Sequence, residues 1–172
     1  YDVKVVAVSA DGEYIVAGTD TGDGNDGTVY LFKSGSSTPL WSYVTEFSVN
    51  SVSISADGEY IVAGTSGATS SSLSRLFLFD KDSSTPLWKT SETGNIHAVD
   101  ISSDGEYIAV AGFNDVFLFS KDSSTYLWYY SVDQDALSVS ISADGEYIVV
   151  GTESSKILLF DKDSSTPLLN YS

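Results

Sequence analysis

The segment SADGEYIVAGT at residues 9–19 returns as SADGEYIVAGT from Ser55, SSDGEYIAVAG from Ser102 and SADGEYIVVGT from Ser142. A chain built from one unit in four copies is constrained to fold by repeating one supersecondary unit and stacking the copies. The Asp-Gly pairs begin at Asp11, Asp57, Asp104 and Asp144, giving repeat lengths of 46, 47 and 40 residues. That period is the range of four-stranded blades. The units are bounded at 1–46, 47–93, 94–133 and 134–172 and make a single repeat domain.

Each unit begins with an alternating run, in which Val6 and Val8, Val52 and Ile54, Val99 and Ile101, and Val139 and Ile141 recur two apart. That is strand periodicity. Smaller residues stand between them, Ala7, Ser53 and Ser140, with Asp100 as the exception. The Asp-Gly pair then makes a tight turn, because glycine takes positive φ without steric penalty, and leads into a second strand, EYIVAGT in the first unit. A third run follows, VYLF from Val29, LFLF from Leu76, VFLF from Val116 and ILLF from Ile157, rich enough in aromatic and branched residues to predict burial on both faces. The fourth run is short and follows a Ser-Ser-Thr turn; proline at its start in three units, Pro39, Pro86 and Pro167, suits an outer edge. The prediction is an all-β propeller of four four-stranded antiparallel meander blades.

The SADGEY segment resembles the S-P-D-G-x-x turn of WD-repeat and related surface-protein propellers, with alanine or serine in place of proline and no Trp-Asp dipeptide. The fourth strand resembles the tryptophan-docking repeat of pyrroloquinoline-quinone dehydrogenase-like propellers, D-x-x-T-G-x-x-x-W, over Asp80 to Trp88, with Ser83 and Ser84 at the Thr and Gly positions. Trp41 and Trp128 keep the ring, Lys33 and Ser120 replace the aspartate, and Leu169 replaces the tryptophan of the fourth unit. The likeness spans all four units and implies the propeller fold. It also implies an alternative function, a fragment of a quinone-dependent dehydrogenase-like enzyme.

Four blades are few for a ring, since each must then turn about a quarter of the circle, and propellers range from four to eight. The units start in a first strand and stop after a fourth, so no spare strand crosses between the termini, and the two end blades would expose apolar faces. Two copies related by a twofold axis would complete eight blades, and this homodimer is the expected assembly over a closed four-bladed monomer or a fragment with missing blades. The chain also begins in a strand-like run without an initiator methionine, as an excised, processed or designed piece would.

The formal charge of −16, from 24 acidic and 8 basic side chains, argues against a phosphate-binding surface, and no nucleic-acid partner is expected. The absence of cysteine removes disulfides, thiolate metal sites and cysteine nucleophiles together. No apolar run approaches a membrane span, so no membrane partner is expected. The sequence does not fix the compartment, with an extracellular or cell-surface setting slightly favoured.

Two turns per unit, Asp-Gly and KDSSTP, hardly vary and lie at one end of the blade, because successive strands alternate in direction. The loops at the opposite end differ from unit to unit and form the candidate binding surface. Its candidate residues are Glu46, Glu92, His97, Asn114, Asp133, Asp135 and Glu153, whose carboxylates suggest an anionic mouth for cations or basic ligands. His97, the only histidine, aligns with Lys4, Asn50 and Leu137 near the start of the innermost strand, where it could line a central channel. In the loop TDTGDGNDG, Asp20, Asp23, Asn25 and Asp26 offer hard oxygen donors of the kind calcium takes, without completing the helix-loop-helix spacing. No other cofactor is expected, and a calcium-stabilised surface module is a further alternative. One histidine without a nucleophile-elbow motif supports no hydrolytic triad. The expected function is a non-enzymatic scaffold that binds a protein, peptide or glycan through variable loops on one face, or self-assembles.

Overall fold

The alternating runs form strands, and the turn chemistry joins them in chain order. In the computed structural model, which describes residues 2–22, 26–67, 74–90 and 94–172, sixteen strands make four antiparallel sheets, with no helix among the described residues. The first blade holds β1 (Asp2–Val8), β2 (Tyr14–Asp20), β3 (Gly27–Lys33) and β4 (Trp41–Thr45). The second holds β5 (Ser48–Ile54), β6 (Tyr60–Ser66), β7 (Leu76–Asp80) and β8 (Trp88–Lys89). The third holds β9 (Ile96–Ile101), β10 (Tyr107–Gly112), β11 (Asp115–Ser120) and β12 (Tyr126–Ser131). The fourth holds β13 (Ala136–Ile141), β14 (Tyr147–Thr152), β15 (Ile157–Asp161) and β16 (Leu169–Tyr171). Within every sheet the strands hydrogen-bond in sequence order, so the fold is a set of four meander blades of propeller type. The strands entered through proline, β4, β8 and β16, lie outermost, where a missing N–H leaves no ladder bond unmade.

Each first-to-second strand pair carries one irregularity of register. It falls between Val3 and Val5, between Val49 and Ser51, at His97 between Ile96 and Ala98, and between Ala136 and Ser138. Lys4, Asn50, His97 and Leu137 are therefore the extra residues of four equivalent β-bulges. A bulge residue is released from the face alternation of its strand and can re-aim its side chain. This explains why the four are dissimilar while their neighbours match.

The core is divided among the three blade interfaces. Val16, Val29 and Leu31 of the first blade pack with Val52, Ile54, Ile61, Phe77 and Phe79 of the second. Val62, Leu76 and Leu78 pack with Ile96, Val99, Ile101, Ile108 and Phe119, and Ala109, Val116 and Leu118 pack with Ile141, Ile148, Leu158 and Phe160. Burial of each valine, leucine, isoleucine or phenylalanine here contributes about 1.5–3 kcal/mol.

Polar locks repeat at the same junctions. The indole N–H of Trp41, Trp88 and Trp128 donates to the carbonyl of Lys81, Lys121 and Lys162 in the next blade, at 2.8, 2.6 and 2.7 Å. Main-chain bonds run from Ala10 N–H to Ala56 O, from Ala56 N–H to Ser103 O and from Ser103 N–H to Ala143 O, each 3.0 Å. Burial on both faces of the third strand holds for β7, whereas Tyr30 and Phe32 of β3 are only half-buried and Ile157 of β15 is exposed. The reason is position: the outward faces of the first and last blades have no neighbouring blade within the chain.

Candidate binding face

The two ends of the blades differ in how their polar groups are used. At the Asp-Gly end, the hydroxyl of Ser9, Ser55, Ser102 or Ser142 donates to Oδ1 of Asp11, Asp57, Asp104 or Asp144 at 2.6 Å. The same oxygen accepts the N–H two residues on, and the serine oxygen accepts the tyrosine N–H that opens the next strand, as in Glu13 to Asp11 and Tyr14 to Ser9. Gly12, Gly58, Gly105 and Gly145 complete the turn with φ of 73–75°, a conformation that a Cβ would strain. Lys81, Lys121 and Lys162 then pair with Glu59, Glu106 and Glu146 at 2.7, 3.0 and 3.3 Å, tying the KDSSTP turn to the Asp-Gly turn of its own blade. This end is closed on itself.

The opposite end carries the β2–β3-type loops and the crossings between blades, and four of its six predicted carboxylates among the described residues are held in specific pairs. Asp20 closes β2, is buried, and uses both oxygens: Oδ2 meets Lys4 Nζ at 2.6 Å, while Oδ1 accepts the Ser48 hydroxyl at 2.6 Å and the Gly22 N–H at 2.7 Å. Glu46, in the first crossing, receives Arg75 Nε at 3.0 Å and lies 3.7 Å from Lys89 Nζ, so it binds the first blade to the second. Asp133 pairs with Lys156 at 2.6 Å, and Asp135 meets His97 Nε2 at 3.0 Å. Asn114 is a turn residue in the left-handed region, φ 60°, whose carbonyl accepts the Val132 N–H. Glu153 donates its N–H to Asp135 O and leaves its side chain exposed, and Asp26 is exposed with its carbonyl accepting from Thr21. Glu92, Asp23 and Asn25 lie outside the described residues.

Asp20, Glu46, Asp133 and Asp135 thus lie at the same end but each holds a separate partner. Among the described residues no three His, Cys, Asp or Glu side chains converge as a metal would need. The bulge residues carry much of the pairing: Lys4 takes Asp20, Asn50 donates to Ile96 O of the next blade at 3.0 Å, and His97 takes Asp135 of the next unit. Leu137, the fourth of the series, is exposed. The cleft beside Asp133 and Lys156 has a volume of about 20 Å³, room for a water molecule rather than an organic ligand.

The residue of most consequence outside the repeated turns and loops is Asp100. Its Oδ1 accepts the Ser53 hydroxyl and the Ile101 N–H, both at 3.0 Å, and its Oδ2 accepts the Ser140 hydroxyl at 3.1 Å and the Ile141 N–H at 2.9 Å. One carboxylate thus joins the innermost strands of three blades. Its only signal in the sequence is a charge where the other units have Ala7, Ser53 and Ser140.

Asp20 is held well below the usual carboxylate range, first by the Lys4 ammonium, then by the Ser48 hydroxyl and the Gly22 N–H. Asp11, Asp104 and Asp144 are also lowered, chiefly by the serine hydroxyl of each turn. A depressed folded-state pKa stabilises the fold while the group is ionised. That contribution is complete above about pH 4, the unfolded-state value, and is lost as pH falls through the lower folded-state value. Thermal melts are expected to show a Tm that declines from about pH 4 downward, and Asp20→Asn should flatten that decline while lowering Tm at neutral pH. An identical acid slope in the variant would remove Asp20 from this role.

Fold and end chemistry together define a four-blade repeat protein with one self-closed end and one variable, ion-paired end. No protein-family profile matches the chain, and no curated protein matches it in sequence.

Proposed function

We propose that the chain is a non-enzymatic scaffold whose variable-loop end receives a macromolecular ligand, a protein, peptide or glycan, across a shallow surface. The observation that supports this most is the asymmetry of the two ends. The Asp-Gly end satisfies its polar groups within each turn, whereas the loops at the other end differ in length and content on a rigid support, the usual arrangement for recognition. Exposed Asp26 and Glu153, beside carboxylates already engaged by Lys4, Arg75 and Lys156, leave that end with acidic groups to offer and favour a basic segment. The tryptophan locks of Trp41, Trp88 and Trp128 support a likeness to tryptophan-docked propeller repeats in how blades are joined. They carry no chemistry of those enzymes to this chain.

The test is calorimetric titration with a lysine-rich peptide and, separately, a panel of glycans. Binding to one of them should weaken at least about tenfold in Asp26→Lys/Glu153→Lys and, for the peptide, fall with added salt. Asp82→Ala, at the opposite end, should leave it unchanged. Absence of binding to every probe, or equal loss in Asp82→Ala, would reject the proposal.

A further inference from the structure

The first and last faces of the chain are the two halves of an interface that the chain itself forms three times. We propose that the outer face of the fourth blade docks against the outer face of the first blade of a second copy, and that two copies close in this way into an eight-bladed ring. The assignment rests on residues that have a partner at every internal junction and none at the ends.

In the interior the tyrosine opening each second strand lies over the turn glycine of the next blade: Tyr14 on Gly58, Tyr60 on Gly105 and Tyr107 on Gly145, so tightly that a Cβ on any of these glycines would run into the ring. At the ends, Tyr147 is 49% exposed and Gly12 has nothing over it. Strand side chains repeat the pattern. Gly18 leaves space that Val49 fills, Gly64 leaves space that Ile96 fills, and where the host is Ala111 the guest is the smaller Ala136. Gly151 is the next host in the series and Val3 the next guest, a β-branched residue for a glycine as at the first two junctions. Gly151 lies in an open groove of about 310 Å³ lined by Val139, Val149 and Ile157, and Val3 is exposed.

Burial draws the same line. Val52 and Ile54, and Val99 and Ile101, are at most 9% exposed, but their equivalents Val6 and Val8 are 63% and 59% exposed. The chain's own last blade therefore does not cover its first. Propeller rings hold four to eight blades, and two copies of these four blades bring the number to eight. Two identical head-to-tail contacts then form together, each raising the effective concentration of the other. The main-chain ladder extends the same way, from Ala143 N–H to Ala10 O of the second copy. The tryptophan lock does not, since Leu169 stands at the indole position and has no N–H to donate to the carbonyl of Ser34, the equivalent of Lys81. This junction is accordingly weaker than the internal ones, and the ring should dissociate on dilution.

The experiment is sedimentation equilibrium over a wide concentration range, with circular dichroism to check folding. Wild type should approach twice the 18.4 kDa of the chain. Val6→Glu and Val149→Glu, on opposite end faces, should each weaken association roughly a hundredfold or more by burying a charge. Mixed together they should regain a dimer, because one contact of the mixed pair is unaltered. Val3→Glu and Ile157→Glu form a second pair should either of the first fail to fold. A wild type that stays at 18.4 kDa, a dimer that survives Val149→Glu, or growth beyond two chains would each overturn the ring. Asp26→Lys/Glu153→Lys should leave the mass unchanged, which separates this assembly from ligand binding at the loops.

Discussion

Phe79→Ala is expected to lower the unfolding free energy by about 3–5 kcal/mol, the range for deleting a fully buried aromatic ring. Phe79 is wholly buried at the junction of the first two blades. Trp41 and Tyr43 of the first blade approach its ring at centroid distances of 5.2 Å, and Phe77 stacks on the same side at 6.0 Å. Truncation removes the burial term and these ring contacts together, and the surrounding strands, held by ladder bonds on both sides, can collapse only in part. Phe32 is the same residue in the first blade, and it is half-buried because no blade covers it. Phe32→Ala should therefore cost clearly less in dilute solution. Urea melts of the two variants would check this, and equal losses would contradict the division of the core into blade junctions.

Asp100→Ala is expected to cost about 2–4 kcal/mol, because hydrogen bonds to a charged group are worth more than neutral ones and their loss strands donors. Four donors converge on this carboxylate from β5, β9 and β13, including the main-chain N–H groups of Ile101 and Ile141. Alanine satisfies none of them. Asparagine keeps one oxygen but turns an NH₂ toward the other pair of donors, so Asp100→Asn should fall between wild type and alanine. Chemical denaturation of both variants tests the order. If Asp100→Ala were as stable as wild type, the carboxylate would not be joining the blades.

Much of the local structure was legible because it depends on residues close in the chain. The Ser-x-Asp-Gly turn closes within five residues, alternation sets each strand face, and proline marks the outer strands. The placement of Glu46, Asp133, Asp135 and Glu153 at one end follows from strand direction alone. Their partners do not. Glu46 takes Arg75 and Asp135 takes His97 across blade boundaries, so several of the acidic residues expected to form an open anionic mouth are held by specific partners. The joining role of Asp100 is hidden in the sequence for the same reason: its donors at Ser53 and Ser140 lie far away on either side in the chain.

The repeat by itself determined four blades, their strand order and the constant turns, since each is a response of a short segment to periodicity, glycine and proline. Tertiary structure alone decided which equivalent residues are core and which are surface. Val6 and Val52 stand at the same position of the same motif, and one is 63% exposed while the other is 6% exposed. Burial is a property of what lies opposite, and in a stack of repeated units that depends on the place of the unit in the stack and not on its sequence.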